Sequence, residues 1–398
     1  MLPRVKIYFE NGVLGSTTPS DDAVVGLLTT GVAVTGKFVL GTSYLITSLD
    51  GLTALGITSA VNDANALIYK TVKEFYTEAP TGTKLWMRAS ADTVKLSDQL
   101  DITAVHGKAL INAANGAINF IMVAVKDVTG YTPTITGGID ADVALAKTNA
   151  QALAEWATET KYAPLFVILP ARHYGGTASA LTDLTSGTAN RVCVMLGDTV
   201  ASANDAAVGL LAGRIAAIPV QRSIARVKTG AIKVDSLHIG TLAAELGDAD
   251  IINDKGYITF RTFVGKAGYY FTDDKLATAG TDDYALIPRR RVIDKAYRIG
   301  YQTMVNELGN EIPVTDAGSI SAPIVKSIQN AVEVAVETNM NGNLGVDPSN
   351  ANDTGVQCFI DANQNIVATS ILAASLRVKP FGYAKYIDVY LGFKTTTV

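Results

Sequence analysis

The clearest pattern in the chain is a series of short apolar runs between residues 84 and 218. Stretches with helical periodicity lie between the first three runs, near 97–114 and 141–160, and another helix is predicted near 204–217. Short apolar strands that alternate with helices are typical of βαβ units and a mostly parallel sheet. The four predicted strands are Leu85–Met87, Ile118–Val125, Leu165–Leu169 and Val192–Leu196.

The pattern differs on either side of this region. Residues 61–79 carry apolar side chains near one face of a helix, which Pro80 closes. The stretch 220–285 is more β-like, and a hairpin with a longer loop around Gly265–Gly268 is predicted. Its strands contain Ile258, Phe260 and Thr262 on one side and Tyr269 and Phe271 on the other.

From residue 288 the pattern changes to two helices followed by strands. Pro288 suits the first turn of a helix that runs to Leu308, and Ser321 is suited to cap a second helix. The segment 338–355 is rich in Asn and Gly and is predicted to be a surface loop. The strands predicted after it are Gln357–Ile360, Leu372–Val378 and Tyr386–Phe393.

Both ends of the chain have an alternating strand pattern without an obvious local partner. The N-terminal apolar row is Val5, Ile7 and Phe9, and the C-terminal row is Ile387, Val389, Leu391 and Phe393. Single short strands are unstable alone because their backbone groups need hydrogen-bond partners. The prediction is therefore an N-terminal arm (1–19), an α/β body (20–285) with a β-rich part at 220–285, a C-terminal α+β module (286–385) and a C-terminal arm (386–398).

Composition narrows the class of protein. The chain has 398 residues, of which 48% are hydrophobic and 18% are charged, and this excludes intrinsic disorder. With 33 Lys and Arg against 37 Asp and Glu, bulk attraction to nucleic acid or anionic lipid is not expected. No apolar run approaches the length of a membrane span, and the N-terminus does not resemble a signal peptide. Cys193 and Cys358 lie in apolar runs and are predicted to be buried.

The motifs that would indicate an enzyme are weak. Ser90, Asp127, His173 and Asp198 follow predicted strands, where α/β enzymes bind their ligands. No nucleophile elbow or dinucleotide fingerprint accompanies them, so we interpret them as loop residues. The chain is predicted to have no catalytic residues, no metal site and no cofactor.

One segment comes close to a phosphate-binding loop. Gly31 to Lys37 has the required spacing of glycines and lysine, but Phe38 replaces the hydroxyl residue that would bind Mg²⁺. The residues between the glycines are mostly apolar, and no clear helix follows. We interpret the segment as a strand edge and a turn.

The densest basic cluster lies on the first C-terminal helix. It consists of Arg289, Arg290, Arg291, Lys295 and Arg298. Positive charge at a helix N-terminus is locally unfavourable. The pattern leaves two interpretations open: an ordinary solvated face, or a face that binds an acidic partner.

Three segments resemble the contractile tail sheath proteins of bacteriophages, in particular a shorter sheath-like group found in phages and prophages. They are the opening segment 2–15 together with 22–31, the segment Glu74–Trp86, and the segment Gly130–Asp140. The order of parts also matches, from a terminal strand through an α/β body to a module of two helices and strands. The chain has no large surface insertions, so decoration domains are not expected.

The resemblance implies a structural subunit. Such subunits form stacked hexameric rings around a tail tube and contract to drive the tube through a cell envelope, with no cofactor. The implied partners are other copies of the chain, the tube protein, and baseplate and tail-terminator proteins. Nucleic acid binding and membrane insertion are not implied.

The resemblance also assigns places within the particle. The arms would link neighbouring subunits. The C-terminal module would line the inside of the sheath, and its basic cluster would face the tube. The protein would be part of a virion tail or a phage-like particle assembled in the bacterial cytoplasm. Two alternatives stay open: an α/β enzyme with a site at the carboxyl ends of the strands, and a non-contractile tube or surface-lattice protein.

Overall fold

The computed structural model of the chain describes residues 21–60 and 64–392. Its helices are α1 (Leu49–Ala54), α2 (Ala66–Glu78), α3 (Leu96–Leu100), α4 (His106–Ala113), α5 (Ala141–Lys161), α6 (Val208–Ala217), α7 (Ala249–Asp254), α8 (Ile287–Val305), α9 (Ala322–Asn339) and α10 (Ile366–Thr369). Its strands are β1 (Val25–Thr30), β2 (Ser43–Ile46), β3 (Leu85–Ser90), β4 (Phe120–Ala124), β5 (Ile135–Thr136), β6 (Ile139–Asp140), β7 (Phe166–Pro170), β8 (Thr188–Ala189), β9 (Val192–Met195), β10 (His238–Ile239), β11 (Leu242–Ala243), β12 (Phe260–Phe263), β13 (Lys266–Phe271), β14 (Ala277–Thr278), β15 (Val356–Ile360) and β16 (Ala374–Val378).

The body is built on a six-stranded sheet in the order β2-β3-β1-β4-β7-β9. All neighbours in it are parallel except β2, which runs antiparallel to β3 at one edge. Every residue of β1, β4, β7 and β9 is buried. Strands buried on both faces read as continuous apolar runs. The predicted α/β class with a mostly parallel sheet is confirmed.

The sequence did not single out β1 as a strand, although it lies between β3 and β4. Val25 pairs with Leu85 on one side and with Phe120 on the other. The strand contains Gly26 and ends in two threonines, so its apolar run is short. The backbone carbonyl of Thr29 accepts a hydrogen bond from Gln99 Nε2 at 3.1 Å. The buried Gln99 side chain thus satisfies a backbone group near the end of β1.

The predicted helices near 141–160 and 204–217 are present as α5 and α6. The helical stretch predicted near 97–114 is present as two short helices, α3 and α4. Between them, Asp101 Oδ1 accepts hydrogen bonds from the Thr103 amide at 2.7 Å and from its hydroxyl at 2.8 Å. Such a local turn competes with helix continuation. In the part of the chain that the structure describes, no helix has both the length and the apolarity needed to cross a membrane.

The predicted hairpin is present as β12 and β13. Its loop is shorter than predicted, because Lys266–Gly268 belong to β13 and only Val264 and Gly265 connect the strands. Phe260 pairs with Phe271, and the register shifts between Arg261 and Phe263. A register shift of this kind marks a β-bulge, which increases the local twist.

The chain divides into two compact units, one that ends at Arg298 and one that begins at Ile299. The division falls inside α8, downstream of the boundary predicted near 285. In the second unit, α9 places Val325, Ile328 and Val332 in a small core with Cys358 and Ile360 of β15. The predicted helix after Ser321 and the predicted strands at 357–360 and 372–378 are therefore confirmed.

Candidate assembly interface

The second unit contains a two-stranded antiparallel sheet that is open at both edges. Strand β15 pairs only with β16 among the described residues, from Val356 opposite Val378 to Ile360 opposite Ala374. A two-stranded sheet is marginal alone, and open edges invite the addition of further strands. This sheet is the best candidate in the described residues for a site of subunit linkage.

The register decides which backbone groups of β15 point outward. The amide of Lys379 donates to the carbonyl of Gly355 at 2.8 Å, which marks this pair as a hydrogen-bonded position of the ladder. Because hydrogen-bonded and non-hydrogen-bonded pairs alternate along an antiparallel ladder, the backbone groups of Val356, Cys358 and Ile360 face away from β16. An incoming strand would meet these groups.

A groove of about 460 Å³ lies beside this edge of β15. Helix α9 forms its other wall. The groove is lined by Lys326, Gln329, Asn330, Glu333, Gln357, Cys358 and Phe359. The subunit therefore has free space next to the outward-facing groups of β15.

The predicted C-terminal strand is not formed between Tyr386 and Gly392, where the chain has no regular secondary structure. A strand requires a partner, and this segment has none in the described part of the subunit. Its apolar side chains are exposed, including Ile387, Val389 and Leu391, and the last of these is 97% exposed. Phe393 lies outside the described residues, as do the N-terminal arm and its Val5, Ile7 and Phe9.

The basic cluster on α8 differs from both sequence-based interpretations, which placed it on a surface. Arg290 and Arg291 are buried. Both terminal nitrogens of Arg291 donate to the carbonyl oxygen of Ile218, each at 3.2 Å. Burial lowers the pKa of Arg291 to about 10. The prediction of an exposed basic face is wrong for these two residues, because the body's own groups pair with them.

The rest of the cluster is also largely paired inside the body. Arg298 donates to the carbonyl oxygens of Gly116, Ile118 and Pro164 at 2.7–2.8 Å. Lys295 Nζ lies 2.6 Å from Asp22 Oδ2. Arg289, which is half-buried, makes no guanidinium hydrogen bond within the described residues. A tube-facing role for the cluster stays a prediction, with Arg289 as the residue best placed to have it.

The structure does not bring the candidate enzyme residues into one constellation. Ser90 Oγ lies 2.9 Å from His106 Nδ1 rather than beside His173. His173 Nε2 lies 3.0 Å from Asp127 Oδ2, a contact without hydrogen-bond geometry, and Asp127 also pairs with Arg172. Asp198 belongs to a separate cluster. The described residues therefore contain no Ser–His–Asp arrangement built from these four positions.

That separate cluster is a buried ion-pair network. Lys70 Nζ lies 2.6 Å from Asp198 Oδ1 and 2.8 Å from Glu74 Oε1. Burial raises the pKa of Glu74. Burial, with a smaller contribution from Asp198, raises the pKa of Asp205 to about 7, and Lys70 opposes the shift. Among the described residues, no group of His, Cys, Asp and Glu side chains is arranged to hold a metal ion.

The phosphate-loop-like segment is a tight turn. The amides of Val34 and Phe38 each donate to the other's carbonyl, at 2.8 and 2.9 Å, and the Phe38 side chain is buried. Gly36 has a φ of 72°, which glycine adopts without strain. No helix begins within the ten residues after Lys37, so no helix N-terminus presents its amides to a phosphate there.

Comparison with solved structures defines the class of fold. The chain is similar to a protein in the contracted helical sheath of the anti-feeding prophage (16% identity, TM-score 0.64, covering 98% of this chain and 99% of that chain). It is similar to one in the contracted sheath complex of PVC, an extracellular contractile injection system (14% identity, TM-score 0.62, 98% and 97% covered). A chain of the anti-feeding prophage baseplate matches equally well (16% identity, TM-score 0.64, 99% of each chain). The protein thus has the fold of contractile-sheath proteins, and the resemblance drawn from its sequence is confirmed.

The chain belongs to the DUF2586 family. The model of that family's N-terminal domain matches residues 2–275, and the model of its C-terminal domain matches residues 283–397. No curated protein matches the chain.

Proposed function

We propose that this protein is the structural subunit of a contractile sheath. In this proposal the subunits form stacked hexameric rings around a tail tube and shorten to drive the tube through a cell envelope. The observation that carries the proposal is the similarity over 98% of the chain to a protein in a contracted helical sheath. Partners would be other copies of the chain, the tube, and baseplate and tail-terminator proteins, in a virion tail or phage-like particle assembled in the bacterial cytoplasm.

Subunits would be linked by strand donation. The segment 386–392 of one subunit is apolar, exposed and unpaired within the described residues. The β15–β16 sheet of another subunit has open edges to receive it. Added strands bind through main-chain hydrogen bonds. The N-terminal arm, with Val5, Ile7 and Phe9, is proposed to do the same.

This linkage is head-to-tail, because the donor and the acceptor are different surfaces. Heterologous contacts propagate into rings or helical assemblies rather than closing a dimer. Such links would hold the subunits together while their bodies repack. The energy for contraction would be stored as a free-energy difference between two packings of the same subunits. No cofactor and no catalytic residue take part in this proposal.

Electron microscopy of the full-length protein, expressed with and without its tube protein, tests the proposal. We expect long hollow cylinders with six-fold symmetry. A compact monomer or dimer under all assembly conditions would contradict the proposal. A flat lattice, or a tube of fixed length that never shortens, would instead support the alternative of a non-contractile lattice or tube protein.

A further inference from the structure

The outward-facing edge of β15 carries a side chain in the place of a neighbouring strand. Glu333 of α9 accepts a hydrogen bond from the Cys358 amide through Oε1, at 2.7 Å. This amide belongs to the set that the register directs away from β16. The bond joins a carboxylate to a backbone donor, a stronger kind of hydrogen bond than a neutral pair makes.

The groove next to this bond contains an unused acceptor. The Gln329 side chain lines the groove and is 7% exposed, yet its Oε1 has no hydrogen-bond partner among the described residues. Buried polar atoms without partners are rare and each needs an explanation. A donor supplied from outside the subunit would satisfy this oxygen.

The segment 386–392 of a second copy fits this groove. Its β-branched and aromatic residues favour a strand. Its backbone is unpaired in the described part of the subunit. Its charged residue is Asp388. The groove carries the opposite charge of Lys326 and the like charge of Glu333, so the charges suit the segment once the Glu333 carboxylate has moved away. Its amides would supply the donors that Gln329 lacks.

We propose that Glu333 is a placeholder that occupies the Cys358 amide on the otherwise open β15 edge of the free subunit and leaves it when a neighbour's 386–392 segment adds to the sheet. This inference rests on the strand donation proposed above. The exchange replaces the Glu333 bond with a main-chain bond and returns the carboxylate to water. Proteins commonly use charged side chains to protect strand edges from unwanted pairing. Glu333 would therefore suppress strand pairing before a growing assembly offers a correctly placed donor.

A binding assay with a labelled peptide of the 386–392 sequence tests this idea on the full-length protein. Glu333→Ala removes the competing acceptor, so we expect the peptide to bind about tenfold more tightly than to the wild type, equivalent to about 1.4 kcal/mol. Glu333→Gln keeps a neutral acceptor and should fall between the two. The matched control is Glu337→Ala, one turn further along α9 at an exposed position, which should leave the affinity unchanged.

Two further readouts separate the possible failures. In Glu333→Ala the Cys358 amide should exchange its hydrogen faster in the free subunit and become protected when the peptide binds. The lag before cylinders appear should also shorten. Equal peptide affinity and equal lag in Glu333→Ala and wild type, with cylinders still forming, would overturn the placeholder role alone. If no variant binds the peptide and none assembles, strand donation itself is wrong.

Discussion

At the residue scale, arginine side chains of α8 supply hydrogen-bond donors to backbone carbonyls of the body. Arg291 and Arg298 belong to the basic cluster that was expected on a surface, since charged side chains mostly lie in solvent. Both instead donate to backbone carbonyls inside the body. The planar guanidinium has five donors and suits such multiple contacts better than lysine does. The sequence carries no signal for this, because the acceptors are backbone groups distant along the chain.

Arg291→Met should destabilise the body. Methionine keeps most of the side-chain volume but leaves the Ile218 carbonyl without its two donors. A buried acceptor without a partner costs about 1–3 kcal/mol. We expect a loss of that size in the free energy of unfolding, measured by urea denaturation. The matched control is Arg289→Met, which removes no guanidinium hydrogen bond in the described residues and should change stability by less than about 0.5 kcal/mol.

Asp205 should make stability depend on pH. Its pKa is raised to about 7 in the folded protein, so the folded state binds more protons than the unfolded state between about pH 4 and pH 7. The stabilisation that the protonated Asp205 carboxyl contributes is complete below the pKa that this group has in the unfolded chain. It is lost as the pH rises through 7, the pKa in the folded protein. Lys70, Asp198 and Arg172 are the charged groups that act on it.

The measurement compares wild type with Asp205→Asn from pH 4 to pH 8. In the wild type, stability attributable to this carboxyl should fall by about 1 kcal/mol per pH unit or less across the window. The variant should lose that slope. Parallel pH profiles for the two proteins would show that Asp205 has an ordinary pKa.

At the scale of elements, two glycines determine how closely α6 approaches α2. A Cβ atom at Gly209 would lie 2.3 Å from the carbonyl oxygen of Thr71, and one at Gly213 would lie 2.4 Å from that of Phe75. The four-residue spacing places both on one face of α6. This small-residue spacing was visible in the sequence. The sequence did not show which helix packs against these glycines, because nothing in it identified α2 as the partner of α6.

Gly213→Ala should therefore be destabilising, although alanine is the better helix former. Separating the two helices costs about 1–3 kcal/mol, against a gain of about 1 kcal/mol in helix propensity. Gly51→Ala in α1 is the control, because its nearest neighbour would lie at an ordinary 3.4 Å. Thermal unfolding should show a lower Tm for Gly213→Ala and an equal or higher Tm for Gly51→Ala. An unchanged Tm for Gly213→Ala would mean that the helices separate without cost.

The sequence predicted best those elements whose burial is uniform. Strands β4, β7 and β9 were located because every residue in them is buried and most are apolar. Strand β1 was missed because its threonines pair with buried polar groups, and the break between α3 and α4 was missed because a local Asp101 turn set it. In the candidate interface, β15 and β16 correspond to the strands predicted at Gln357–Ile360 and Leu372–Val378. The contact between Glu333 and Cys358 was not, because 25 residues separate them.

At the scale of the whole molecule, the proposed function depends on segments that have no partner in the described part of one subunit. The terminal segment 386–392 exposes a row of apolar side chains, and the β15–β16 sheet has free edges. Exposed apolar segments and open edges are liabilities in a monomer. They become binding surfaces when the same chain is repeated in a sleeve, where each subunit supplies what its neighbour lacks.

The most direct test of this account is deletion of residues 386–398, followed by circular dichroism and electron microscopy beside the full-length protein. We predict that the truncated subunit keeps the circular dichroism spectrum of the full-length subunit, because the described part of the deleted segment adds no helix or strand to it. We also predict that it no longer forms long cylinders under conditions in which the full-length protein does. A truncated subunit that still builds normal cylinders, or one that unfolds, would contradict the claim that this segment links one subunit to the next.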